Sequence, residues 1–160
     1  MRSQSSDTKL MLSFHLTPKL QAIISVDELT GLTTVETISI APIPDTPQAV
    51  MGIHNYRGNP VWVVDLPYLL GLTPLYLANT RQICSLIFLQ SQKKTIGFAV
   101  YQLGQMITFP KEQLQQDYKN PGAQRLNWCI NGIYTNNSTT MLAIQGSKIF
   151  DLLKNNEMTV

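Results

Sequence analysis

Leu10, Leu12, Phe14 and Leu16 alternate with Met11, Ser13 and His15, the period-two pattern of a half-buried strand. Pro18-Lys19 makes a turn, and Leu20–Val26 is a second strand. Thr33–Ile43 is rich in Thr, Val and Ile and stops at Pro42, Pro44 and Pro47, as a strand would. Val61–Val64 is a short apolar run closed by Asp65, and Pro67–Leu70 reads as one helical turn ended by Gly71. Ile83–Leu89, Thr95–Tyr101 and Met106–Phe109 are three further strands, the first two joined by a hairpin at Gln92-Lys93. Cys129–Thr135 and Thr140–Ile144 flank the polar turn Asn136-Asn137-Ser138. The pattern closes with an amphipathic helix at Ser147–Leu153, turning Ile149, Phe150, Leu152 and Leu153 inward. So many short strands between turn signals predict an all-β barrel or sandwich.

A shift of 80 positions exposes an internal repeat. It lays Gly52-Ile53 on Gly132-Ile133, Val61–Val64 on Met141–Ile144 and Leu69-Leu70 on Ile149-Phe150 without a gap. Each copy reads strand, glycine, turn, apolar strand, short helix. The expectation is two similar small β-barrels, each too small for a large core of its own, packed against each other.

Composition narrows the function. The 160 residues are 44% hydrophobic and only 14% charged, where about 25% charged is usual. This composition argues against disorder, with a disordered N-terminus expected at residues 1–9 and a C-terminal tail at 155–160. The formal charge of +2 gives no footprint for nucleic acid or an anionic membrane. The uncharged stretches Leu66–Thr80 and Thr95–Pro110 are too short to span a bilayer, and no membrane insertion and a cytoplasmic location are expected. Lys111–Asn127 holds five of the 22 charges and the breaker Asn120-Pro121-Gly122, and reads as a long exposed loop.

Catalytic chemistry finds no constellation. His15 and His54 lack spaced carboxylates or an HExxH pattern, Cys84 and Cys129 form no CxxC pair, and no Gly-rich phosphate loop or GxSxG elbow exists. No catalytic residue, metal site or cofactor is expected. The repeat is unequal at its turn: Asn55-Tyr56-Arg57-Gly58 in the first copy, Thr135-Asn136-Asn137-Ser138 in the second. Gly58 allows positive φ, and Arg57 offers five donors in a planar fork. Arg57 either pairs internally with Asp45 or Asp65, or is presented to a partner.

Gly52-Ile53-His54-Asn55-Tyr56-Arg57-Gly58, followed by Val61–Val64, Asp65-Leu66 and Leu70-Gly71-Leu72, resembles the signature of CheW-type chemotaxis coupling proteins. That signature runs G-x-x-N-x-R-G, an apolar strand, then D-L. Ile43-Pro44 ahead of it, Ile83–Phe88 and Gly97–Val100 in the middle, and Asn131–Ile133 with Met141–Ile144 at the end extend the resemblance over residues 10 to 154. Trp62 stands where the family usually has proline, and with Leu70–Tyr76 it resembles the cyanobacterial branch, where such systems drive phototaxis or pilus motility.

The resemblance implies one domain over residues 10–154, made of two intertwined five-stranded SH3-like β-barrels with a short C-terminal helix. It also implies a non-catalytic adaptor joining the cytoplasmic helical hairpin of chemoreceptors to a CheA-type histidine kinase. The receptor-binding positions would be Asn55, Tyr56, Arg57, Gly58 and Asp65, and the kinase-binding positions Val26, Leu29 and Leu32. Around those leucines, Asp27, Glu28 and Glu36 would form a charged rim. Leu29 and Leu32 could equally plug their own barrel. The alternative function is a small-molecule sensor using a cleft between the barrels, with Arg57, Asn55 and Asp65 as its convergent polar groups.

Overall fold

The computed structural model describes residues 7–78, 82–116 and 125–155. Ten strands follow in chain order: β1 (Thr8–Thr17), β2 (Leu20–Ser25), β3 (Leu29–Glu36), β4 (Val50–Tyr56), β5 (Asn59–Asp65), β6 (Ile83–Ser91), β7 (Lys94–Val100), β8 (Gln102–Pro110), β9 (Ile130–Asn136) and β10 (Thr139–Ile144). Two single-turn helices, α1 (Leu66–Leu69) and α2 (Leu75–Ala78), follow β5, and α3 (Gly146–Asn155) follows β10.

The strands form two five-stranded sheets, β8-β1-β2-β10-β9 and β3-β6-β7-β5-β4. Neither sheet is one half of the chain. The hairpin β1-β2 sends its next strand, β3, to the edge of the second sheet beside β6. The hairpin β6-β7 sends β8 to the edge of the first, beside β1. This reciprocal exchange is what intertwines the two sheets. In each sheet one contact is parallel: Trp62 lies opposite Ile96 where β5 meets β7, and Leu142 opposite Ala22 where β10 meets β2.

The 80-residue repeat is present in the backbone. Gly52 and Gly132 adopt φ of 143° and 151°, conformations that L side chains rarely hold. A Cβ on Gly52 would strike the Ala41 carbonyl, and one on Gly132 would strike Leu114 and the Gln115 carbonyl. Both glycines thus let a passing segment bridge to the residue that follows, Ala41 to Ile53 and Gln115 to Ile133. The Asp65 N–H donates to the Ala49 carbonyl at 2.7 Å, and 80 positions on the Gln145 N–H donates to the Cys129 carbonyl at 2.8 Å.

The core has three parts. Met11, Ile23, Phe109, Tyr134, Met141 and Ala143 pack within the first sheet, and Ile40, Val61, Val63, Leu75, Cys84, Leu86, Phe88 and Ala99 within the second. Between the sheets runs a shared seam containing Leu12, Phe14, Ile24, Val64, Ile87, Phe98, Ile144 and Ile149. β1 therefore buries both faces, where the alternation predicted one: Leu12, Phe14 and Leu16 enter the seam while Met11 enters the first sheet's own core. β1 also begins at Thr8, opposite Pro110, so the polar N-terminus contributes two residues to the sheet. β3 ends at Glu36, short of the predicted Ile43, because Thr37–Ser39 turns into a 3-10 helix whose Ser39 hydroxyl donates to the Glu36 carbonyl at 2.7 Å. Of the loop predicted over Lys111–Asn127, Lys111–Gln113 is a 3-10 turn, and the Asn120-Pro121-Gly122 breaker lies outside the described residues. No helix among the described residues is long and apolar enough to cross a membrane.

Candidate functional site: the Asn55–Gly58 turn

β4 and β5 are joined at Arg57-Gly58, with φ of 52° and 82°. Two successive positive φ values make the primed turn that matches the right-handed twist of a two-residue hairpin. Glycine suits the second position, whereas arginine at the first is held in a conformation that non-glycine residues seldom occupy. The guanidinium lies over the Tyr56 ring, 5.0 Å from its centroid. Arg57 is exposed and pairs with no carboxylate among the described residues, so the internal partners Asp45 and Asp65 are set aside.

Tyr56 is the platform for this turn. Its other face stacks on Phe88, with centroids 3.8 Å apart and planes 14° from parallel. Two glycines make room: a Cβ on Gly31 would collide with the Tyr56 hydroxyl, and one on Gly97 would press on the Phe88 ring at 2.9 Å. A ring fixed on both faces holds the neighbouring arginine at the tip. Asn55 is exposed one residue before it.

Asp65 belongs elsewhere. It sits at the opposite end of β5, is only 4% exposed, and accepts the Tyr68 N–H at 3.0 Å and the Leu75 N–H at 2.8 Å. Both carboxylate oxygens are thus spent on the starts of α1 and α2, which corrects its placement among surface contacts. Burial pushes its carboxyl above the usual range, and the two N–H donors hold it partly back. Its burial also undoes the convergent trio of the sensor reading: Arg57 and Asp65 line different cavities.

The leucines of the second predicted face are also parted. β3 is an edge strand whose odd positions are half-buried and even positions exposed. Leu29 packs against the shared seam, while Leu32 is 36% exposed on the other side of the strand. Val26 is half-buried in the 3-10 turn before β3. Asp27 and Glu36 are exposed as a rim would be, but Glu28 is half-buried and accepts the Gly146 N–H at 2.8 Å, capping α3. Cys84 and Cys129 are buried, and burial pushes their thiols up to about 11 and about 12, so neither is a thiolate near neutral pH. Among the described residues no three His, Cys, Asp or Glu side chains gather to hold a metal ion.

The family model of the CheW-like domain matches residues 11–154. The chain belongs to the CheW-like family. The same fold is seen in the crystal structure of the scaffolding protein TtCheW from Thermoanaerobacter tengcongensis, with a TM-score of 0.71 over 86% of this chain and 84% of that one. Identity between the two CheW-type chains is 19%, so what they share is the fold. No match is found among curated proteins.

Proposed function

We propose that this protein is a non-catalytic, cytoplasmic adaptor that couples the helical hairpin of a chemoreceptor to a CheA-type histidine kinase. Family membership supports the class of function, and the structural neighbour's description as a scaffolding protein agrees with it. The observation that carries the site is Arg57: a cation held on an aromatic platform at a hairpin tip, strained in φ and without a carboxylate partner among the described residues. Strain kept at an exposed charged position marks a functional position more than a structural one. Asn55, Tyr56, Arg57 and Gly58 form the receptor contact, and Leu32 at the exposed edge of β3 belongs to the kinase contact.

Arg57→Ala tests this. A charge-assisted contact contributes ~1.5–3 kcal/mol, so receptor binding should weaken about tenfold to a hundredfold. Folding should change by only about 0.5 kcal/mol, as for other surface substitutions. A variant that loses stability but binds the receptor hairpin as before would make Arg57 structural and the reading wrong.

A further inference from the structure

Two hairpin turns meet at one end of the second sheet. β5 and β7 are parallel neighbours in register, so the turns leading into them, Arg57-Gly58 and Gln92-Lys93, lie side by side. A cavity of about 640 Å³ opens between them, and its lining includes Tyr56, Arg57, Asn59, Gln90, Lys93 and Lys94. Three of the chain's twelve Lys and Arg residues line this one cavity, and no carboxylate among the described residues does. We infer that the cavity receives an acidic segment of a protein partner, with carboxylates reaching both turns, so that Lys93 and Lys94 complete the contact begun by Arg57. The inference rests on the adaptor reading of Arg57 and extends it to a second hairpin.

Three observations carry it. None of the three cations has a carboxylate partner among the described residues, so their charge is unanswered within the fold. Gln92 and Lys93 hold φ of 52° and 69°, where Asn-Gly is the comfortable choice. Charge at the tip is thus kept against backbone preference, as it is at Arg57. The first sheet supplies an internal control. Its β10 and β2 repeat the parallel contact, yet the corresponding turns, Asn137-Ser138 and Pro18-Lys19, carry one cation between them. The basic character therefore does not come with the architecture.

The chemistry of the occupant follows from the lining. The Tyr56 ring is covered by Phe88 on one face and by Arg57 on the other, leaving no aromatic face for a nucleobase. The cations are spread over two turns, which suits several separate carboxylates better than one compact phosphate. Exposed charges of this kind act chiefly through complementarity and association rate, and salt screens them.

The test is an amide-resolved NMR titration of the full chain with a synthetic peptide of six glutamates and, separately, with inorganic pyrophosphate, each at low and high salt. The peptide should move the amides of residues 57–59 and 92–95. Lys93→Glu/Lys94→Glu should weaken that binding by about tenfold or more, and added salt should weaken it in the unmodified chain. Lys93→Gln/Lys94→Gln, which removes charge without reversing it, should give an intermediate loss. Peptide shifts elsewhere, or shifts that survive charge reversal in a folded variant, would overturn the inference. Pyrophosphate binding these amides more tightly than the peptide would overturn it too, assigning the cavity to phosphate. The adaptor reading fails separately, if Arg57→Ala leaves capture of a receptor hairpin intact.

Discussion

Glu28 Oε1 accepts the Gly146 N–H at 2.8 Å, so the turn before β3 caps a helix 118 positions further along the chain. An exchanged strand makes this possible, because the chain leaves the first sheet after β2 and meets the start of α3 at Glu28 before it enters β3 in the second. Glu28→Ala removes the acceptor, and the loss should resemble that of a helix N-cap, about 1 kcal/mol, read from the urea midpoint. Burial pushes the Glu28 carboxyl above its ordinary range, while the Gly146 N–H and Lys9 partly offset the shift. A folded pKa raised above the unfolded one means that the native state binds the proton more tightly. This group's stability contribution is therefore full below the unfolded value and is lost as pH rises through the folded one. Glu28→Gln keeps an acceptor oxygen without the charge. It should match or exceed the unmodified chain at neutral pH and remove that part of the pH dependence. Equal slopes for the two proteins between pH 4 and pH 7 would show that Glu28 is not the group responsible.

Asp65 should behave as a structural residue. Asp65→Ala leaves the buried Leu75 N–H and the half-buried Tyr68 N–H without acceptors, a loss of about 3 kcal/mol. Asp65→Asn retains one acceptor oxygen and should lose less. Receptor capture by folded Asp65→Asn should equal that of the unmodified chain. A selective loss of capture with an intact melting temperature would return Asp65 to the partner surface.

Gly31 is matched to one atom of Tyr56. A methyl group at residue 31 would occupy the space of the Tyr56 hydroxyl, and the ring cannot retreat because Phe88 lies against its face. Gly31→Ala should destabilise by about 1–3 kcal/mol, in the range of other overpacked sites. Tyr56→Phe removes the clashing oxygen, so the double variant should recover part of that loss. Strict additivity in the double-mutant cycle would mean that the two sites do not meet as described.

How much of this was legible in the sequence depended on distance along the chain. Hairpins are local, so alternation and turn residues located the Gln92-Lys93 and Asn136–Ser138 turns, and the repeat paired Gly52 with Gly132. The reciprocal exchange of β3 and β8 left no local mark, because an alternating strand looks the same in whichever sheet it pairs. β1 was misread for the same reason: only the seam makes Met11 and Leu12 both buried. At the site, Arg57 stood out by its type and its turn. Asp65 did not reveal its burial, since an aspartate before a proline-containing helical turn reads equally as cap or contact. Lys93 and Lys94 looked like an ordinary charged hairpin. Their nearness to Arg57 requires the parallel pairing of β5 and β7, which no spacing in the chain announces.

Leu29 and Leu32 now part company. Leu29 packs on the seam, so Leu29→Arg should bury an unpaired charge and collapse the melting transition. Leu32 lies on the exposed side of an edge strand, where arginine can reach solvent, and Leu32→Arg should melt within a few degrees of the unmodified protein. If β3 forms part of the kinase contact, Leu32→Arg places a charge in the dry centre of that interface, and capture of the kinase should fall about thirtyfold, the equivalent of ~2 kcal/mol. The exposed acids Asp27 and Glu36 should matter little at physiological salt, because rim charges act mainly on association rate. Melting curves and kinase pull-downs on Leu32→Arg and Glu36→Ala decide between the outcomes. Lost capture in Leu32→Arg alone puts the kinase on β3, whereas full capture by both variants moves that contact to another edge of the fold.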